Sequence, residues 1–283
     1  MSRPEPKRAL ILAGGGLKVA FQAGVLQVWM DEAKIDFQFA DGASGGVFNL
    51  AMWCSGQSGT EIADHWRATN PFDLVSFNLR PWVSLLTLDA FTAKALPDWN
   101  ITWRRMTRKS ATFNAYNFTR QELRTLKPDE MTPTWLKACV SLPMWFPPVV
   151  IDGETYVDSI YATDANLEAA IRSDVEPDEL WVIWTVSMRG LWRNGPINQY
   201  FQMIENAADW RFKDMLRRID ASNAAIAAGR AGEFPRRICV RVLYAEVPLH
   251  YLLVFSADRL HEAVNLGVRR GREWCIENRI PLQ

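Results

Sequence analysis

Twice within the first sixty residues, a short apolar run breaks at small residues and gives way to apolar positions at helical spacing. The first unit runs from Arg8–Leu12 through Gly14-Gly15-Gly16 into residues 18–30, where Val19, Phe21, Val25, Leu26 and Trp29 recur on one helix face. The second runs from residues 37–40 through Asp41-Gly42-Ala43-Ser44-Gly45-Gly46 into residues 47–54. A helix between two strands carries the chain back to the edge it left, so the second strand runs in the same direction as the first. Two such units predict an α/β fold with a mostly parallel sheet.

Downstream, strands are expected at residues 112–118, 149–151, 155–157, 180–186 and 237–244. A turn or hairpin should follow the first of these, and Asp152-Gly153 should join the second and third. Helices are expected at 134–142 (cut off by Pro143), 167–173, 197–228 as one or two, and 258–278. Residues 70–105 hold Phe72, Phe77, Trp82, Phe91, Trp99 and Trp103 among Pro71, Pro81 and Pro97, without a clean period. This predicts an insertion of short helices, with 70–110 as a lid region inside a single domain spanning 1–283.

Lys+Arg and Asp+Glu both number 32. A chain without net charge lacks the overall attraction expected of a nucleic-acid binder, so no nucleic-acid partner is expected. Cys54, Cys139, Cys239 and Cys275 form no CxxC pair and have no histidines at metal-ligand spacing; they read as reduced and buried. Met1–Arg8 lead straight into an apolar stretch too short for a signal peptide, and no run of about 18 apolar residues could span a bilayer. A cytoplasmic protein, free to lie on a membrane surface, is the expectation. The 13 tryptophans suit packed cores and the membrane–water boundary equally.

Three elements carry chemistry. Gly42-Ala43-Ser44-Gly45-Gly46 satisfies G-x-S-x-G between a predicted strand and a predicted helix. That sharp turn exposes a serine hydroxyl and needs small neighbours. Gly14-Gly15-Gly16-Leu17-Lys18 precedes a helix with bare backbone N–H groups, as an oxyanion hole or a phosphate cradle requires. Val19 follows Lys18 where a Walker loop needs Ser or Thr, and it stands where a dinucleotide fingerprint needs its third glycine. The oxyanion reading survives. Asp158 closes a strand in Tyr156-Val157-Asp158-Ser159; alone it would read as a turn cap.

In this order the glycine loop, the Ser44 turn and Asp158 resemble the patatin-like phospholipase family. So does the block Ser141–Val149 with Asp152-Gly153 before the aspartate, and the resemblance extends over residues 112–122 and the closing helix with Gly267. It implies a three-layer α/β/α fold and a serine lipid acyl hydrolase of phospholipase A or lysophospholipase type. It further implies Ser44 and Asp158 as a catalytic dyad, an oxyanion hole from Gly14, Gly15, Gly16 and Gly45, and Lys18 in support. The substrate would be a lipid acyl ester, with no metal or cofactor and with peripheral contact to an anionic membrane as a further expectation. Ser159 replaces the family's glycine after the aspartate, Val19 replaces a common glycine, and Asp164 and Asn166 stand where Asn and Pro are usual.

Two alternatives stay open on the residues. Ser44, Asp158 and either His250 or His261 fit the chain order of a conventional Ser-Asp-His α/β-hydrolase. Against it, the serine follows only about two strands, fewer than such folds place before it. A non-catalytic lipid-binding relative could use the same pocket. His65 and His261 read as helix-surface residues, leaving His250 as the histidine to watch.

Overall fold

Residues Ala9, Leu10, Ile11 and Leu12 are buried on both faces of their strand, and that sets the layering. Leu10 and Leu12 pack into one apolar cluster, while Ala9 and Ile11 join a second on the opposite face. A strand so placed must be covered by helices above and below. The computed structural model describes residues 5–106, 110–186, 190–254 and 256–283.

Ten strands are present among these residues. They are β1 (Arg8–Leu12), β2 (Phe39–Ala43), β3 (Ser76–Phe77), β4 (Leu86–Thr87), β5 (Ser110–Asn117), β6 (Glu122–Leu126), β7 (Val149–Ile151), β8 (Glu154–Asp158), β9 (Glu179–Trp184) and β10 (Cys239–Tyr244). Eight form one sheet in the order β10-β9-β1-β2-β5-β8-β7, with β6 also paired to β5; β3 and β4 form a separate ribbon. Strands β10, β9, β1, β2 and β5 are parallel, whereas β6 and β8 pair antiparallel to β5.

The pairing around β5 positions everything that follows. Strand β6 bonds Phe113–Asn117 along one edge. The other edge must then hold two strands in succession, β2 up to Ala43 opposite Asn114 and β8 from Asp158 opposite Ala115. The two strands approach head-on, and their C-terminal ends meet between Asn114 and Ala115.

On the Leu10 face lie α1 (Ala20–Leu26), α2 (Gly46–Cys54), α3 (Gly59–Ala68) and the closing α9 (Ala257–Glu277). Between α3 and β5 come α4 (Leu96–Asp98) and α5 (Trp103–Met106), with further single turns around them. After β6 comes α6 (Pro133–Cys139). The Ile11 face is covered by α7 (Leu167–Ile171) and the 32-residue α8 (Pro196–Ala227). The result is a mostly parallel sheet between helical layers, the α/β/α arrangement expected. No helix among the described residues is long and apolar enough to cross a membrane.

Some boundaries depart from the sequence reading for local reasons. Strand β2 begins at Phe39 and continues through Asp41 and Gly42 because those residues pair with Thr112 and Phe113. Helix α6 ends at Cys139, not at residue 142, because the following N–H groups turn to nearer carbonyls: Val140 donates to Lys137, Ser141 to Ala138 and Leu142 to Val140. The segment expected as one or two helices over 197–228 is the single α8. Cys239, expected to be buried, is exposed at the start of edge strand β10; the other three cysteines are buried and all four are free.

Most tryptophans are core residues. Trp29, Trp181 and Trp274 meet with ring centroids 5.0–5.2 Å apart. Such pairs add about 0.5–1.5 kcal/mol each beyond area burial. Helices α1 and α9 cross above them with backbones in contact: a Cβ on Gly24 would lie 2.0 Å from the Val264 carbonyl oxygen, and one on Gly267 2.1 Å from that of Phe21. Gly267→Ala is therefore expected to force the helices apart and lower unfolding stability by about 1–3 kcal/mol or more. Urea denaturation measures this, and an unchanged midpoint would mean that the two helices separate freely.

Candidate active site

Strand β2 delivers the chain to Ser44, and α2 begins at Gly46, so the direction must reverse across two residues. Ser44 takes this up with φ 47°, in the left-handed region that side chains other than glycine seldom occupy. The Val47 and Phe48 N–H groups then bond the Ser44 and Gly45 carbonyls at 3.1 Å and close the turn.

Head-on from the other side comes Asp158. The Ser44 hydroxyl donates to Asp158 Oδ2 at 2.7 Å, and Asp158 Oδ1 accepts the Ile160 N–H at 2.9 Å. Both residues are buried. Removal from water raises the Asp158 pKa to about 7, against the opposing pull of its two hydrogen bonds. Ser159 opens a single helical turn, Ser159–Tyr161, and its carbonyl accepts from Ala162 and Thr163. It is not among the positive-φ positions, so the turn has no need of a glycine there.

The glycine loop lies against the serine. A Cβ on Gly45 would stand 2.6 Å from the Gly16 carbonyl oxygen, and one on Gly14 would stand 3.0 Å from Ser44 Cβ. Gly16 has φ 54° and backs onto the Tyr251 carbonyl, where any side chain would collide. Among the described residues, no acceptor meets the N–H of Gly15, Gly16 or Gly45. Gly14 differs: its N–H donates to the Asp164 carbonyl at 2.9 Å, so it is not free for an oxyanion as expected from sequence. Thr185 Oγ1 donates to the Gly14 carbonyl at 2.8 Å, and Gln22 Nε2 to that of Ala13 at 2.6 Å, fixing the loop from beneath. Lys18 is buried with Nζ 4.0 Å from the centre of the Tyr251 ring.

Two acids near the site escaped the sequence reading of their roles. Asp41 lies inside β2, fully buried, with Oδ2 accepting from Thr112 and Asn114 and Oδ1 from the Asn166 N–H. Burial holds its pKa up at about 7 despite those three donors. An aspartate inside an otherwise apolar strand was the available signal, and it was absorbed into the serine motif. Asp164 pairs with Arg211 of α8 at 3.1 Å, while burial raises its pKa to about 8. Arg211 also donates to the Ile160 carbonyl, so α8 grips the Asp158 turn directly.

No histidine among the described residues bonds to Ser44 or Asp158. His250 turns its Nδ1 to the N–H groups of Leu252 and Leu253 at 3.2 and 3.0 Å, and its ring packs on Trp145 and Phe201. Burial, with Lys18 and Arg193 nearby, lowers its pKa. His65 is half-buried on α3 and His261 is exposed on α9.

Ser44, Asp158, Gly15, Gly16 and Gly45 open onto one cavity whose other walls are mainly apolar, among them Phe48, Leu74, Phe91, Val140, Leu142 and Phe201. The arrangement places a serine hydroxyl, a buried carboxyl with a pKa of about 7 and N–H groups without an acceptor beside one apolar slot.

No curated protein matches the chain in sequence. Among solved structures, VipD from Legionella pneumophila is similar with a TM-score of 0.47 at 14% identity, over 98% of this chain and 68% of that one. The profile of the patatin-like phospholipase family matches residues 10–171, more than half of the 283. With that match, the chain belongs to the patatin-like phospholipases, a family of lipid acyl hydrolases.

Proposed function

We propose that this chain is a carboxylic ester hydrolase of phospholipase A or lysophospholipase type, with Ser44 as nucleophile and Asp158 as general base. The observation that carries the reading is the direct 2.7 Å hydrogen bond from Ser44 Oγ to a buried carboxyl with a pKa of about 7. Ionised Asp158 takes the Ser44 proton as Oγ attacks the acyl carbonyl. The negative charge that develops on the carbonyl oxygen is met by the N–H groups of Gly15, Gly16 and Gly45, with the N-terminus of α2 behind them. Protonated Asp158 then gives its proton to the leaving alcohol. An incoming water, deprotonated by the same carboxylate, releases the fatty acid and restores Ser44.

The same reading takes 1–283 as one catalytic domain with residues 70–110 as its lid. In support, Leu74, Val75, Leu88 and Phe91 from that segment line the cavity. Contact with a membrane from the cytoplasmic side belongs to this proposal too. Of the tryptophans in the 70–105 segment, Trp99 is buried and Trp103 partly so, which leaves Trp82. Trp82 is exposed together with Phe77, Leu79 and Val83. Basic residues follow Trp103 in sequence; of these, Arg108 and Lys109 lie outside the described residues, as do the side chains of Arg104 and Arg105.

Four outcomes test this. Ser44→Ala is expected to abolish ester hydrolysis and labelling by a fluorophosphonate while the fold persists, and labelling at another serine would defeat the assignment. Asp158→Asn should lower the rate by on the order of a thousandfold, whereas His250→Ala and His261→Ala stay within a few fold; collapse of either histidine variant would favour the triad. Because the base must be ionised, kcat/KM in wild type should rise with pH and level off above about 7, and fall progressively below it. A profile flat from pH 5 to 8, well below and above that pKa, would count against Asp158 as the base. In liposome sedimentation, replacing Phe77, Leu79 and Trp82 by Ser should weaken binding to anionic vesicles, and unchanged binding would remove that loop from the contact.

A further inference from the structure

The cavity at Ser44 is apolar along most of its wall, and one side chain breaks that pattern. Glu205 lines it from α8, beside Phe201 and Ile204. Only 5% of the residue is exposed. Oε2 accepts from Nη2 of Arg193 at 2.8 Å, while Oε1 is buried with no hydrogen-bond partner among the described residues. Leaving a buried acceptor unmatched costs on the order of 1–3 kcal/mol, and more when it is charged. That cost is recovered by any donor that enters.

The surroundings hold this oxygen in place. The Arg193 N–H donates to Gln202 Oε1 at 2.6 Å, and Gln202 Nε2 donates back to the Arg193 carbonyl at 2.7 Å. Gln202 is itself buried, one turn before Glu205 on the same helix. The Arg193 side chain is 43% exposed and that of Glu205 6%, so the cation stands toward solvent and the carboxylate inward. With its charge already balanced by Arg193, Glu205 suits a neutral donor better than a second cation.

We propose that Glu205 Oε1 forms a subsite for a hydroxyl group of the substrate, so that the cavity selects lipid esters carrying that hydroxyl over the same esters without it. This rests on the lipid-ester reading of the site. The hydroxyl has two sources, the free glycerol position of a monoacyl lipid or a hydroxylated acyl chain. In the first case a second acyl ester at that position would bring only acceptor oxygens against the carboxylate.

Matched pairs distinguish the sources. One pair is lysophosphatidylcholine and its glycerol O-methyl ether. The other sets p-nitrophenyl esters of hydroxyoctadecanoic acids, with the hydroxyl placed along the chain, against plain octadecanoate. Wild type is expected to favour the hydroxyl-bearing member of one pair by roughly tenfold or more in kcat/KM. Glu205→Leu should bring that ratio within about threefold, and Glu205→Gln, which keeps an acceptor oxygen, should retain part of it. Because each value is a ratio within one protein sample, partial unfolding does not imitate the result. Affinity of Ser44→Ala protein for the same pairs, read from tryptophan fluorescence, follows the subsite without turnover. If wild type hydrolyses no ester but this variant still prefers the hydroxyl member through Glu205, the subsite stands and the hydrolase reading fails. Equal turnover and equal affinity within both pairs, or a preference that survives Glu205→Leu, would overturn the subsite.

Discussion

One edge of β5 is shared by two strands that arrive from opposite directions, and the site depends on that junction. Strand β2 ends opposite Asn114 and β8 ends opposite Ala115, so Ser44 and Asp158 leave the sheet at adjacent positions although 114 residues separate them in sequence. Backbone hydrogen bonds set this distance before any side chain takes part. The Asp158 N–H on the Ser141 carbonyl and the Asp41 cluster around Thr112, Asn114 and Asn166 then fix the two strand ends laterally.

Burial does the remaining chemical work. A surface aspartate would be ionised throughout the neutral range but too weak a base to take a serine proton effectively. Withdrawal from water lifts Asp158 to about 7, the range that the proposed dyad requires of a base working near neutrality. Asp41 and Asp164 are lifted by the same cause. Since the folded chain holds all three protonated to higher pH than the unfolded chain does, their contribution to stability is complete below about pH 4 and declines as pH rises through 7. The acids that set up the site therefore make the fold less stable at the pH where Asp158 is ionised.

What was legible in the sequence was local. The Ser44 turn and the glycine loop show in the chain because their backbone demands small residues at fixed spacing, and β1, β7 and α9 follow from short-range apolar pattern. What was not legible depended on distant partners. Asp41 reads as a turn residue until Thr112 and Asn114 are alongside it, and the chain after α6 is placed by β8, whose Asp158 N–H holds the Ser141 carbonyl. The occupied N–H of Gly14 could not be foreseen without Asp164 opposite it. Composition likewise could not tell buried Trp99 from exposed Trp82, since an aromatic run without a period gives no facing direction.

Helix α8 links parts of the molecule that are otherwise far apart. At 32 residues it is about 48 Å long at 1.5 Å rise per residue. Near one end Phe201 and Glu205 form cavity wall; further along, Arg211 holds the Ile160 carbonyl and Asp164; toward the other end, Asn223 bonds Ile238 just before edge strand β10. A continuous helix transmits displacement as a stiff lever. Any tilt that widens the cavity at Phe201 also pulls on Arg211, and through it on the turn that carries Asp158. The cavity wall at Phe201, the turn that carries Asp158 and the chain entering the sheet edge at Ile238 thus share one stiff support.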